Sequence, residues 1–360
     1  MILLFDPAPP RMQWGLLRDG GADAHAVEAK AGWQEKIAAD LDGCGQVQSV
    51  GYVLHNGGDL IKDAVAPITA ETLACLKDCV NLLPEHNSLT LAACRHWMEC
   101  QPRARHVLLC DTAFFARLPP HVRDYAVPHA LTRKGLHRYG GFGLGHAWVW
   151  NRIQDLTGGA ARKIVSIHLG NHSNLAAIED GHPVETTVGF THLEGVMSAE
   201  GCGDIDPTII FQLKAAGFTY SVINRLLSTQ SGFSALAGKP CRLGDILVQS
   251  SHPGLSLARR VFLYQIVKSI GALLAALDGA DALVLHGAPS LDIMPFVREL
   301  GLALAFLGIR IRPEALRSGG APQRVSTADS SLPVFVMAYD RWAMLAGSMR
   351  SLDNKKEQTK

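Results

Sequence analysis

No two cysteines are spaced CxxC, no apolar run approaches the ~18 residues a membrane-spanning helix needs, and neither sign of charge is in excess. Each absence removes a class of protein. The eight cysteines, Cys44, Cys75, Cys79, Cys94, Cys100, Cys110, Cys202 and Cys241, are scattered along the chain. Their spacing excludes a zinc motif and a dense disulfide framework, and suits thiols in a reducing cytosol. With 34 basic and 33 acidic side chains the formal charge is +1. Nothing in that balance attracts nucleic acid. No targeting segment is visible ahead of Asp6, so the chain reads as cytoplasmic, with no membrane partner. Internal repeats with a period of about 20–50 residues are also missing.

What is present is ample core-forming material. Of 360 residues, 48% are hydrophobic and 19% charged, enough for two domains of ordinary soluble type. "MILLF" predicts an opening strand ended by the prolines of "DPAPP", and "QWGLLRDGG" predicts its returning partner. A ribonuclease-H-like sheet begins in this way. Further strands are predicted in "VQSVGYVLHNGGD" and "ARHVLLCDTAFF", the second placing Asp111 just past an apolar run. Open α/β sheets put their ligands at such carboxyl ends. Between them "PITAETLACLKDCVNLL" predicts a helix with start signals at Thr69 and Glu71. Leu255 to Leu277 carries the longest helical periodicity, and the polar tail after Ala346 predicts frayed chain. "HLGNHSN", His168 to Asn174, predicts the tip of a hairpin whose backbone N–H groups are disposed to cradle an anion.

Several strings recur in one order: His86-Asn87, "CDTAFF" at Cys110 to Phe115, "LHRYGGFG" at Leu136 to Gly143, "HLGN" at His168 to Asn171, "VETTVGFTHLEGVM" at Val184 to Met197 and "GDIDP" at Gly203 to Pro207. Together, from about residue 50 to about 345, they make the chain resemble the acetate and propionate kinases, the acetokinase family. The resemblance implies an α/β protein of two ribonuclease-H-like, actin-like ATPase lobes with an interlobe cleft. It divides the chain into an N-terminal lobe of residues 1–115 plus 338–360 and a C-terminal lobe of residues 116–337 that carries nucleotide-site and dimer elements. It implies a homodimer passing the γ-phosphoryl of ATP to a small carboxylate, with Mg²⁺ as cofactor.

By the same resemblance Asp111 and His86 are catalytic candidates, with Asp111 and Asp340 the metal candidates. His168, Gly170, Asn171, His172, Asp245 and Gly287 are nucleotide- or phosphate-binding candidates, and His146 matches a further family histidine. A bland reading stands beside each: Asp111 as a cap after a strand, and His86, His146 and His168 as hydrogen-bonded structural histidines.

The family's cationic groups are where the sequence departs. Asp6 and Gln13 stand for an asparagine and a lysine of the opening loop, Val53 and Gly201 for two arginines, and Phe142 for the histidine that stabilises the transferring phosphoryl. Arg242 and Gly244 replace the aspartate and arginine of the adenosine loop, while Pro289 and Leu291 intrude in the "HGAPSL" loop. Arg11, Arg138 and Arg242 are the arginines left near the aligned pattern, and Arg138 is the catalytic candidate among them. His172 replaces a glycine of the phosphate loop, as a cation, a plug or a solvent-facing side chain. One lost transition-state donor costs about 10²–10³ in rate, and a phosphoryl-clamping arginine about 10³–10⁵. Two functional expectations result: acyl-phosphate synthesis weakened or lost, or a catalytically inactive relative that binds or regulates.

Overall fold

The computed structural model describes residues 1–18, 21–42, 45–287, 292–312, 322–338 and 340–357, with side chains as far as residue 350. Cys44, Pro289 and Leu291 lie outside the described residues. The chain forms two compact units. One comprises Met1–Arg117, Gly141–Gly145 and Asp340–Lys360, the other Leu118–Gly140 and His146–Tyr339.

The first unit is built on β1 (Ile2–Ala8), β2 (Arg11–Arg18), β3 (Gly21–Glu28), β4 (Ser49–Leu54), β5 (Val65–Pro67) and β6 (Arg105–Cys110), ordered β3-β2-β1-β4-β6-β5. β1, β2 and β3 form an antiparallel meander, and β4 and β6 add in parallel to β1. The predicted opening strand does not stop at its prolines, because β1 continues through Pro7 to Ala8. Its pairing with β4 ends at Phe5, and Asp6 to Ala8 pair with β2 alone. That is the edge setting in which a strand tolerates proline. The central strands are apolar on both faces. Leu3, Phe5, Val50, Tyr52, Leu54 and Leu108 on one face and Leu4, Val53 and Leu109 on the other are all fully buried, and Phe5 stacks 5.4 Å from Trp97 of the helix Pro84–Cys100. Burying each such side chain contributes about 1.5–3 kcal/mol.

The second unit repeats this plan with β7 (Lys163–Leu169), β8 (Asn174–Glu179), β9 (His182–Thr186), β10 (Ala282–Gly287), β11 (Gln323–Arg324) and β12 (Val334–Ala338), ordered β11-β12-β10-β7-β8-β9. Again the first three strands form a meander, and the next two long strands lie parallel to the first. The helix Pro253–Ala276, predicted from Leu255 onward, buries Phe262, Ile266 and Ile270 in this core. Both sheets therefore deliver the ends of three parallel strands to one edge. Asp111 follows one such end in the first unit, and His168, Gly170 and Gly287 lie at or just past such ends in the second.

The tail differs from expectation. Helix Arg341–Glu357 runs well beyond Ala346, and Met349 on it is buried. Met344, Leu345 and Met349 supply an apolar face that the polar composition of the tail conceals.

Candidate functional site

In the first unit, three strand ends converge on four charged side chains. Asp6 lies near the end of β1, His55 directly follows β4, and Asp111 directly follows β6. Because β4 is between β1 and β6, His55 stands between the two carboxylates. Its Nε2 lies 3.1 Å from Asp6 Oδ1 and 3.0 Å from the Pro7 carbonyl, and its Nδ1 lies 3.2 Å from Asp111 Oδ2. Nε2 is within hydrogen-bonding distance of two acceptors, whereas the Nδ1 approach to Asp111 Oδ2 is an ion-pair contact to an oxygen without a hydrogen-bond partner. A carboxylate on either side of the ring favours its charged form. Burial opposes that charge, but hydrogen bonding to Asp111 and Asp6 outweighs it and raises the His55 pKa to about 9.

Arg341, first residue of the C-terminal helix, completes the group. Its Nε bonds Asp6 Oδ2, and its Nη2 lies 4.0 Å from Asp111 Oδ2. For both aspartates burial pushes the pKa up, and Arg341 with His55 more than reverses it, so both are held below the usual carboxylate range. Two carboxylates thus face two cations.

Asp111 is also closed in by backbone. Its N–H donates to Leu54 O at 2.9 Å, and Leu144 N–H donates to its Oδ1 at 3.3 Å. A Cβ on Gly143 would collide with the Asp111 carbonyl oxygen. Only glycine lets the segment Gly141–Gly145 lie this close. Beside it Phe142 takes φ 57°, a left-handed conformation costly for an aromatic residue.

His86 reaches this neighbourhood, with its ring edge-on to His55 at 4.9 Å. Asn87 does structural work: its Nδ2 donates to the carbonyls of Asn56 and Cys79, each at 2.8 Å. Asp340 does not join the carboxylates. It is exposed, and its Oδ1 accepts from Trp342 N at 2.8 Å and Ala343 N at 3.2 Å, capping the helix.

The second unit holds the remaining candidates. Arg138 is committed to carboxylates: Nη2 lies 3.1 Å from Glu194 Oε1, Nη1 lies 3.6 Å from Glu185 Oε1, and the guanidinium stacks over Tyr125 at 5.5 Å. Tyr125 hydroxyl in turn donates to Glu194 and accepts from Phe190 N. His168, His146 and His286 form a buried polar knot. Ser166 Oγ lies 2.8 Å from His146 Nδ1 and 3.2 Å from His286 Nε2, Asn174 Nδ2 lies 3.0 Å from His146 Nε2, and the His168 and His286 rings are 5.1 Å apart. Burial, then the neighbouring His168 and His146, hold the His286 pKa well below its ordinary value.

The predicted hairpin is β7–β8, with His168 paired to Asn174. At its tip Gly170 N–H is taken by Ser173 Oγ at 3.1 Å. Asn171 is a spacer between loops: its Oδ1 accepts from Leu243 N at 3.1 Å and its carbonyl from Ala199 N at 2.8 Å. His172 is exposed, with its ring 6.2 Å from the His192 ring. Asp245 is exposed and accepts from Arg242 N at 2.8 Å, closing the helix Leu243–Leu247. Gly287 ends β10, where a Cβ would strike the Leu169 carbonyl.

The sequence model described as "Acetokinase family" matches residues 21–347. The chain belongs to the acetokinase family. An acetate kinase of Clostridium botulinum is 30% identical over 316 residues, 86% of this chain and 79% of that protein. One of Synechococcus is 29% identical over 344 residues, 94% of this chain and 84% of that one. Among solved structures, Porphyromonas gingivalis acetate kinase superposes with a TM-score of 0.85 at 26% identity, covering 97% of this chain and 98% of that one. Entamoeba histolytica acetate kinase shares the fold with a TM-score of 0.87 at 23% identity, covering 97% and 98%. The two repeated sheets are the two lobes of the actin-like ATPase fold.

Of the positions where the resemblance puts cationic groups in other family members, Val53 and Gly201 are buried in this acetokinase-family chain, and Gln13 and Phe142 are half-buried. Val53 is fully buried in β4, and Gly201 is buried with its N–H donating to Ser198 Oγ at 2.7 Å. The Mg²⁺ implied by the resemblance does not fit the donors present. Asp6 and Asp111 already face His55 and Arg341, Asp340 caps a helix, and no cluster of three or more His, Cys, Asp or Glu poised for a metal occurs among the described residues. Two unit charges at 4 Å interact by roughly 4 kcal/mol at an effective dielectric of ~20. A dication would meet about twice that repulsion from each resident cation. Sequence reasoning named Asp6 only as a replacement and missed His55 and Arg341. A signal existed for His55, since it directly follows the apolar run of β4. Arg341 had none, because its partners are more than 200 residues away.

Proposed function

We propose that this acetokinase-family chain has lost all but a trace of ATP-dependent phosphorylation of acetate or propionate, and serves as a binding or regulatory relative of the kinases. The observation that carries this reading is the fate of the phosphoryl-clamping positions. Val53, Phe142 and Gly201 stand there, and the candidate substitute Arg138 is committed to Glu194 and Glu185. Arg11 is paired to Glu28 at 3.0 Å on the surface. Missing two arginines and a histidine removes roughly 10⁴-fold or more of rate acceleration, even without additivity.

The test is acyl-phosphate formation from ATP, Mg²⁺ and acetate or propionate, captured as a hydroxamate, beside an active family member and an Asp111→Asn control. The expected turnover is at least about 10⁴-fold below the active enzyme and unaffected by the control. Robust turnover abolished by Asp111→Asn overturns the reading.

One observation favours a second reading, a kinase with a rebuilt centre: a guanidinium and an imidazolium lie against Asp111. In that case Arg341→Met removes the turnover as fully as Asp111→Asn. The homodimer implied by family membership is part of the proposal. It is supported by Ile209, Phe211, Phe218 and Tyr220, large apolar side chains exposed on and between the helices Thr208–Ala215 and Tyr220–Thr229.

A further inference from the structure

The strand ends of the first unit bring the Asp6 and Asp111 carboxylates against Arg341 and His55. Asp6 and Asp111 come from strands on either side of β4, and a divalent cation between them would need both carboxylates. His55 occupies the position between them, with one ring nitrogen on each. Arg341 reaches the same two residues from the helix that follows β12. The side chains of Asp6 and Asp111 are 6% and 1% exposed, so neither carboxylate has a solvated face from which to take a hydrated ion.

We propose that Arg341 and His55 are built-in counter-cations that occupy the place of a divalent metal, making this centre metal-independent. The role of Arg341 is positional: it holds the Asp6 and Asp111 carboxylates where a metal would otherwise hold them. This inference concerns ion binding and stands apart from the proposed loss of kinase activity.

The test uses Mn²⁺ as the probe on the full chain, with bound ion measured as loss of the free Mn²⁺ electron paramagnetic resonance signal, without nucleotide. The wild-type chain is expected to bind no Mn²⁺ that depends on Asp6 or Asp111. Arg341→Glu, which turns two carboxylates and a cation into three carboxylates, is expected to gain a site at least tenfold tighter than any in the wild type. Arg341→Gln is the milder variant and is expected to gain a weaker site. Stoichiometric wild-type binding that disappears in Asp111→Asn overturns the proposal, whereas binding that survives both Asp111→Asn and Asp6→Asn lies elsewhere and supports it. If both Arg341 variants fold, judged by circular dichroism, and neither gains Mn²⁺, the assignment of Arg341 to the metal's place fails. If neither folds, the wild-type titration with its two aspartate variants decides.

Discussion

His286 is fully buried, with Ser166 Oγ 3.2 Å from its Nε2 and the rings of His146 and His168 at 5.4 and 5.1 Å. Burial, and then the neighbouring His168 and His146, disfavour a charge there, so its pKa lies well below 6.5 in the folded chain. In the unfolded chain it returns to about 6.5. Below that pH the unfolded state binds a proton that the folded state refuses, so stability falls as pH falls. The slope from this residue is about 1.4 kcal/mol per pH unit. Denaturant titrations at pH 7 and pH 5 are expected to differ by about 2 kcal/mol less in His286→Gln than in the wild type. Equal pH dependence in the two chains would falsify a neutral buried His286. The contrast with His55 is one of partners: both are buried, but two carboxylates raise one imidazole to about 9, while burial, with two neighbouring imidazoles adding to it, depresses the other. Neither outcome is legible from residue type. Asp111 at the end of an apolar run was readable, but that its charge is already neutralised was not.

Among the elements, the C-terminal helix carries the most consequence. Asp340 accepts from two backbone N–H groups of its first turn, and Arg341 then reaches the strand ends. Removing that cap is expected to cost about 1 kcal/mol, with Asn nearly as good as Asp. Thermal or denaturant unfolding of Asp340→Ala and Asp340→Asn checks this. Loss in the alanine variant with near-complete retention in the asparagine variant marks a cap, and equal loss in both would point to a need for charge. Helices with strong periodicity or clear start signals were legible: Thr69 does cap the helix Ala70–Cys79, and the long helix lies where its apolar spacing placed it. The hairpin β7–β8 was legible for the same reason. β3 was not, since most of its residues are exposed and show no alternating burial. The C-terminal helix was misread because its apolar contacts are few and its length is polar.

For the whole molecule, two sheets share one strand order although the chain has no detectable internal repeat. Topology constrains only which faces are apolar and where turns occur, so two unlike sequences satisfy it equally. The exposed Phe211 and Tyr220, each 70% exposed, give the proposed dimer a direct test. Light scattering after size exclusion is expected to give twice the 38.8 kDa chain mass, and Phe211→Glu combined with Tyr220→Glu to give the chain mass itself. A wild-type monomer at tens of micromolar removes the dimer from the proposal.

The sequence by itself determined the family and the two-lobed α/β class, because periodicity, strand-end placement and ordered motifs are local properties of a chain. Only the tertiary structure decided where charge is satisfied. Asp6, His55, Asp111 and Arg341 span 335 residues of sequence and meet because three parallel strands end together beneath one helix start. Arg138 likewise lies 47 and 56 residues from the glutamates that claim it. Coulombic pairing depends on distance in space and on burial, and neither is written in the spacing of residues along a chain.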